Sequence, residues 1–138
     1  MEKRKKTMET KTRTKTTKGD SWVVLKDDGY GYTPDSLNFW AENKKRIGTI
    51  VSIEVGSALR TENRWTNGHL ININYNSIII GAEGEIWLSG CSCGYEGKGS
   101  NGTETILIEL GLSVFEARDK AFKPEFFIEF SCKDVTNN

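Results

Sequence analysis

Between Trp22 and Ser89 apolar and polar residues alternate over most of the chain, and a period of two predicts strands. Residues 22–26 form a short β-rich run closed by the turn signal Asp27-Asp28-Gly29. In residues 47–55, Ile47, Thr49, Val51, Ile53 and Val55 share one face, and Gly48, Ile50, Ser52 and Glu54 the other. Beyond a polar turn at Thr66, Asn67 and Gly68, the next strand sets Ile71, Ile73 and Tyr75 against Asn72, Asn74 and Asn76, one face apolar and one carrying amides. Residues 78–82 and 85–89 flank Glu83-Gly84, the spacing of a tight hairpin in which Gly84 can take a positive φ. Residues 30–46 stay open: Pro34, Asp35 and Ser36 start a short helix through Leu37, Trp40 and Ala41, or the stretch is a loop.

The pattern changes after Ser89. Gly90, Gly94, Gly97, Gly99 and Gly102 fall within one short segment, which forbids a regular strand and lets backbone approach a ligand closely. A helical period follows, with Asn101 as N-cap, Glu104 three residues on, and an apolar stripe of Ile106, Leu107 and Leu110 before Gly111. Ser113 and Glu116 make a capping box for a second helix running to about Phe122, ahead of Pro124. Residues 125–132 close as a strand with Phe126, Ile128 and Phe130 on one side. Strands, then two helices, then a strand read as α+β: an antiparallel sheet of about five to six strands with two C-terminal helices.

Composition adds a boundary. The chain has 138 residues and only 2 prolines, enough for one modest core. Residues 1–20 alternate Lys or Arg with Thr and have nothing apolar beyond two methionines, so they read as a disordered basic tail ahead of a single domain over 21–138. Residues 1–18 carry a net +6 and, since the whole chain sums to zero, the rest carries −6. A negative domain argues against duplex-DNA binding, which rests on neutralising phosphates. With a mean hydropathy of −0.51, no membrane-length apolar run and no secretory signal, the expectation is a cytoplasmic protein. Cys91, Cys93 and Cys132 are odd in number and lack a CxxC spacing, so they read as small thiols and not as a disulfide framework or zinc site.

Gly97-Lys-Gly-Ser-Asn-Gly102 matches G-x-G-x-x-G, but a dinucleotide fold needs further parallel strands after it, and Lys98 lacks the Ser or Thr of a Walker loop. Its physics survives. Backbone N–H groups at a helix N-terminus beside Lys98 suit a phosphate, Tyr95 can stack on a base, Asn101 can read polar edges, and Arg118 can return as a phosphate clamp. The bland alternative is a crossing loop with a solvated Arg118. The lone His69 has no paired nucleophile, and Glu83 with Glu85 sits in a turn, so no catalytic constellation, metal or cofactor is expected.

The stretch Gly94-Tyr-Glu-Gly-Lys-Gly-Ser-Asn-Gly-Thr103, followed by Glu104-Thr-Ile-Leu-Ile-Glu-Leu-Gly111, resembles the phage Thoeris anti-defence proteins of the first type. These are sponges that sequester cyclic ADP-ribose signals made by TIR-domain proteins. The resemblance implies a non-enzymatic, nucleotide-binding phage protein acting in the host cytoplasm and blocking activation of the Thoeris effector. It also implies a homo-oligomer, dimer to hexamer, with pockets between protomers and room for cyclic oligonucleotides. It places the loop asparagine at Asn101, the helix arginine at Arg118 and a further arginine at Arg64 or Arg60. Where an adenine-packing aromatic is expected this chain has Cys91, with Trp87 and Tyr95 nearby. The expected ligand site is then Tyr95, Gly97, Lys98, Gly99, Asn101, Gly102, Arg118 and Arg64. Its rivals are a protein-interaction inhibitor working through the tail or an exposed Trp surface, and a small phosphate-substrate enzyme.

Overall fold

The structure, a computed structural model, describes residues 8–11, 21–94 and 97–130. Its strands are β1 (Met8–Lys11), β2 (Val23–Lys26), β3 (Ile50–Thr66), β4 (His69–Gly81), β5 (Gly84–Leu88) and β6 (Phe126–Glu129). The helices are α1 (Thr33–Asn43), α2 (Lys98–Glu109) and α3 (Val114–Ala121). The strands form one sheet in the order β1-β2-β5-β4-β3-β6. The five strands from β2 onward, with three helices of which two are near the C-terminus, make an α+β domain. Within the leader read as disordered, Met8–Lys11 pairs antiparallel with β2, and the rest of residues 1–20 lies outside the described residues.

The sheet is mixed, which corrects the all-antiparallel expectation: β2 lies parallel to β5, with Val23 opposite Gly84 and Leu25 opposite Ile86. That pairing explains Gly84. Its φ is not positive; instead, a Cβ there would lie 2.5 Å from the Val23 carbonyl oxygen, so the neighbouring strand excludes a side chain.

β3 and β4 form one long hairpin closed by Asn67 (φ 52°) and Gly68 (φ 80°), both left-handed as a tight two-residue turn requires. The two segments expected at 69–75 and 78–82 are a single strand. The segment 47–55 is divided instead: Ile47 ends a 3-10 turn (Lys44–Ile47) and β3 starts at Ile50. A register irregularity between Ile50 and Ser52 turns Val51 outward and buries Ser52 beside Ile53.

Burial of apolar side chains drives the packing of helices on sheet, at about 1.5–3 kcal/mol for each large residue fully buried. Leu25, Ile53, Val55, Ile79, Ile86 and Leu88 meet Phe39 and Trp40 of α1, Ile106 and Leu107 of α2, and Ala117 of α3. Trp40 keeps its indole N–H satisfied by donating to Glu109 Oε1 at 3.1 Å. The undecided segment 30–46 is thus helical: Pro34 fits its first turn, where the missing N–H costs nothing, and its buried face completes the core.

α3 starts where the capping box puts it. Ser113 Oγ accepts from the Glu116 N–H at 3.1 Å, and Glu116 Oε1 accepts from the Ser113 N–H at 2.9 Å. α2 starts earlier than expected, because Gly97 and not Asn101 is the N-cap, and the Asn101 N–H already donates to the Gly97 carbonyl at 2.9 Å. Gly99 and Gly102 are therefore helical positions and not loop. Among the described residues no helix is long and apolar enough to cross a membrane.

Candidate functional site

An open groove of about 530 Å³ runs between β4, the loop joining β2 to α1, the end of β5 and the start of α2. Alternation along β4 supplies one wall: Asn72, Asn74 and Asn76 line the groove while Ile73 and Tyr75 are buried on the opposite face. Gly29, Tyr30, Gly31 and Tyr32 make the facing lip, with Tyr30 69% and Tyr32 54% exposed. Ser89, Gly90 and Ser92 form the floor, and Lys98 with Gly99 closes one end.

One carboxylate holds the lip and floor together. Asp27 is 2% exposed and takes hydrogen bonds on both oxygens. Oδ1 accepts from the Gly29 N–H at 2.9 Å and Ser89 Oγ at 2.8 Å; Oδ2 accepts from the Ser89 N–H at 2.9 Å and from Ser36 Oγ. Each serine passes the order on, since Ser89 Oγ accepts from the Gly31 N–H at 3.0 Å and Ser36 Oγ from the Gly90 N–H at 2.8 Å. Burial holds the Asp27 carboxyl above its ordinary value, against the downward pull of the hydrogen bonds from Ser36, Ser89 and Gly29.

Gly29 has to be glycine. Its φ is +86°, and a Cβ would stand 2.6 Å from Ile73 Cγ2. Asn76 is similarly committed: its Oδ1 accepts from the Ala58 N–H at 2.9 Å and its Nδ2 donates to the Ser89 carbonyl at 3.2 Å. Asn72 and Asn74 have no side-chain hydrogen bond among the described residues, so four donor and acceptor groups face the groove unspent.

Among the described residues Lys98 is the one charged side chain lining the groove, and this lining has the electrostatics of a site for a ligand with one anionic end and a neutral polar body. The first N–H groups of α2 lie at the same end, and Gly97 offers no side chain to cap them. Among the described residues no His, Cys, Asp or Glu lines the groove. The Thr33 hydroxyl is spent on the Gly90 carbonyl at 2.7 Å and Ser89 Oγ on Asp27, whose oxygens already hold four donors.

The expected site residues divide among several places. Lys98 and Gly99 are in the groove, and Gly97 caps the helix beside them. Gly102 is buried against Thr33 and Cys91, where its hydrogen lets α2 pack closely. Asn101 is exposed on α2, its carbonyl accepting from Thr105 Oγ1 at 3.0 Å. The Arg118 side chain is 60% exposed, and its Nε lies 3.7 Å from Glu104 Oε1. Arg64 is tied to Glu62 at 2.8 Å, to the Asp28 carbonyl at 3.0 Å and to Tyr75 Oη at 3.3 Å. Arg60 and Lys26 lie over the Trp87 ring. Tyr95 falls outside the described residues. Cys91 is buried, its thiol pushed up to about 12 by burial, and Cys93 is half-buried.

Sequence reasoning missed Asp27, Tyr30, Tyr32 and the two free amides. The amide face was visible as alternation, but its meaning depends on which loop packs beside β4. Asp27 carried only the signal of a turn. No protein-family model, curated protein or solved structure matches the chain.

Proposed function

We propose that the protein is a non-enzymatic sponge for a cyclic nucleotide signal of the cyclic ADP-ribose type, held in the groove between β4 and the β2-to-α1 loop. The observation that carries this reading is the lining itself: Lys98 and the start of α2 at one end, free amides along a wall, exposed tyrosines on the lip, and, among the described residues, no carboxylate or imidazole. A pyrophosphate suits the cationic, N–H-rich end, and a base suits aromatic faces beside amide edges. Sequestration then blocks Thoeris effector activation, as the sequence resemblance implies. The groove is open on one side, so a homo-oligomer is part of the proposal, a neighbouring copy closing over the ligand and bringing an arginine such as Arg118.

The test titrates cyclic ADP-ribose into the full-length protein by calorimetry and follows the same mixture by chromatography for several hours. The proposal expects saturable binding with the ligand unchanged. Accumulating product would make the protein an enzyme acting on a phosphate-bearing substrate, and absence of binding would favour an inhibitor working through protein contacts.

A further inference from the structure

The proposed nucleotide site has an internal polarity that assigns its base. Of the three asparagines on the groove face of β4, Asn76 is spent on Ala58 and Ser89, whereas Asn72 and Asn74 present both halves of their amides. They lie about 7 Å apart along the strand, the reach of one heterocycle and its ribose. An asparagine amide matches the adjacent amino donor and ring-nitrogen acceptor of adenine, while guanine is read best by Arg or Lys on its two acceptors. Among the described residues Lys98 is the one cation lining the groove, beside the start of α2, whose N–H groups already favour an anion, and no carboxylate lines the wall to take guanine's own donors. Tyr30 and Tyr32, on the facing lip, offer ring faces to a planar base.

Resting on the nucleotide reading above, we infer that Asn72 and Asn74 are the specificity-determining residues of the groove and select an adenine base over a 6-oxo purine. The ligand then lies in one orientation, base on β4 and phosphate at Lys98. Base selection and phosphate affinity therefore belong to different residues.

The experiment measures, by calorimetry, the affinities of AMP and of IMP, which carries a carbonyl oxygen where adenine has its amino group. The proteins are the full chain, Asn72→Ala/Asn74→Ala and Lys98→Ala. Both asparagines are exposed, so the double variant should fold, and its melting curve checks this. The unaltered protein should prefer AMP by about tenfold, a bidentate amide's worth of discrimination. The double variant should bind both nucleotides alike. Lys98→Ala should weaken both equally and keep the ratio. The inference is overturned by an unaltered protein that does not discriminate, or by a double variant that keeps the preference. It is also overturned if AMP fails to bind while cyclic ADP-ribose is retained, which leaves the nucleotide reading standing. If neither AMP nor cyclic ADP-ribose binds, both fall together.

Discussion

Asp27 shows how much of the groove's shape can hang on one buried side chain outside its lining. Four donors converge on its carboxyl and fix both the Gly29–Tyr32 lip and the Ser89–Gly90 floor. Its folded-state value is raised above the ordinary 3.8, so the folded protein binds this proton more tightly than the unfolded chain does. The stability contributed by this group is therefore largest below about pH 3.8 and falls as pH rises through the raised folded value. Asp27→Asn should add a pH-independent loss of about 1–3 kcal/mol from mismatched donors, while removing that slope. Urea titrations of both proteins across the acid range test this, and a wild type that gains stability relative to the variant as pH rises would contradict the sign. Gly29→Ala asks for a left-handed alanine in contact with Ile73 and should cost about 2 kcal/mol or more, read as a lower melting temperature and loosened ligand binding.

Element by element, legibility followed how local the determining physics was. The Ser113 capping box could be read in the sequence because all its partners lie within four residues; Ser113→Ala should destabilise by about 1 kcal/mol in chemical denaturation. Asn101→Ala should instead stay within about 0.5 kcal/mol, since Gly97 is the cap and Asn101 is an exposed helical residue. A loss of ligand binding in that variant would then report a contact with ligand and not a lost cap. The amide face of β4 was legible because strict alternation needs nothing beyond the strand itself. The length of β3 was not, because alternation lapses between Val55 and Arg60, where the register shifts and Ala58 takes a φ of 51°. Nor was the parallel pairing of β2 with β5, whose partners lie some sixty residues apart along the chain.

At the scale of the whole molecule, charge separates tail from domain: +6 on residues 1–18 and −6 on the remainder. If the groove is the working part, removing residues 1–20 should leave cyclic ADP-ribose binding intact. It should also lower stability modestly, because Met8–Lys11 covers the edge of β2. Loss of activity with binding preserved would transfer the function to the tail. The α+β class and the closing order of two helices and a strand could be inferred from the chain, but the groove could not, because it joins residues 29–33, 72–76, 89–92 and 98–99, which meet only after the sheet is assembled.

The central claim is that this groove holds a nucleotide signal without consuming it. The most direct measurement incubates the purified protein with the cyclic nucleotide product of a TIR enzyme, filters away free ligand, denatures the protein by heat and identifies what is released. The account predicts intact ligand in near-stoichiometric amount, and its loss from the Lys98→Ala variant. A cleaved product, or an empty filtrate from the unaltered protein, would contradict it.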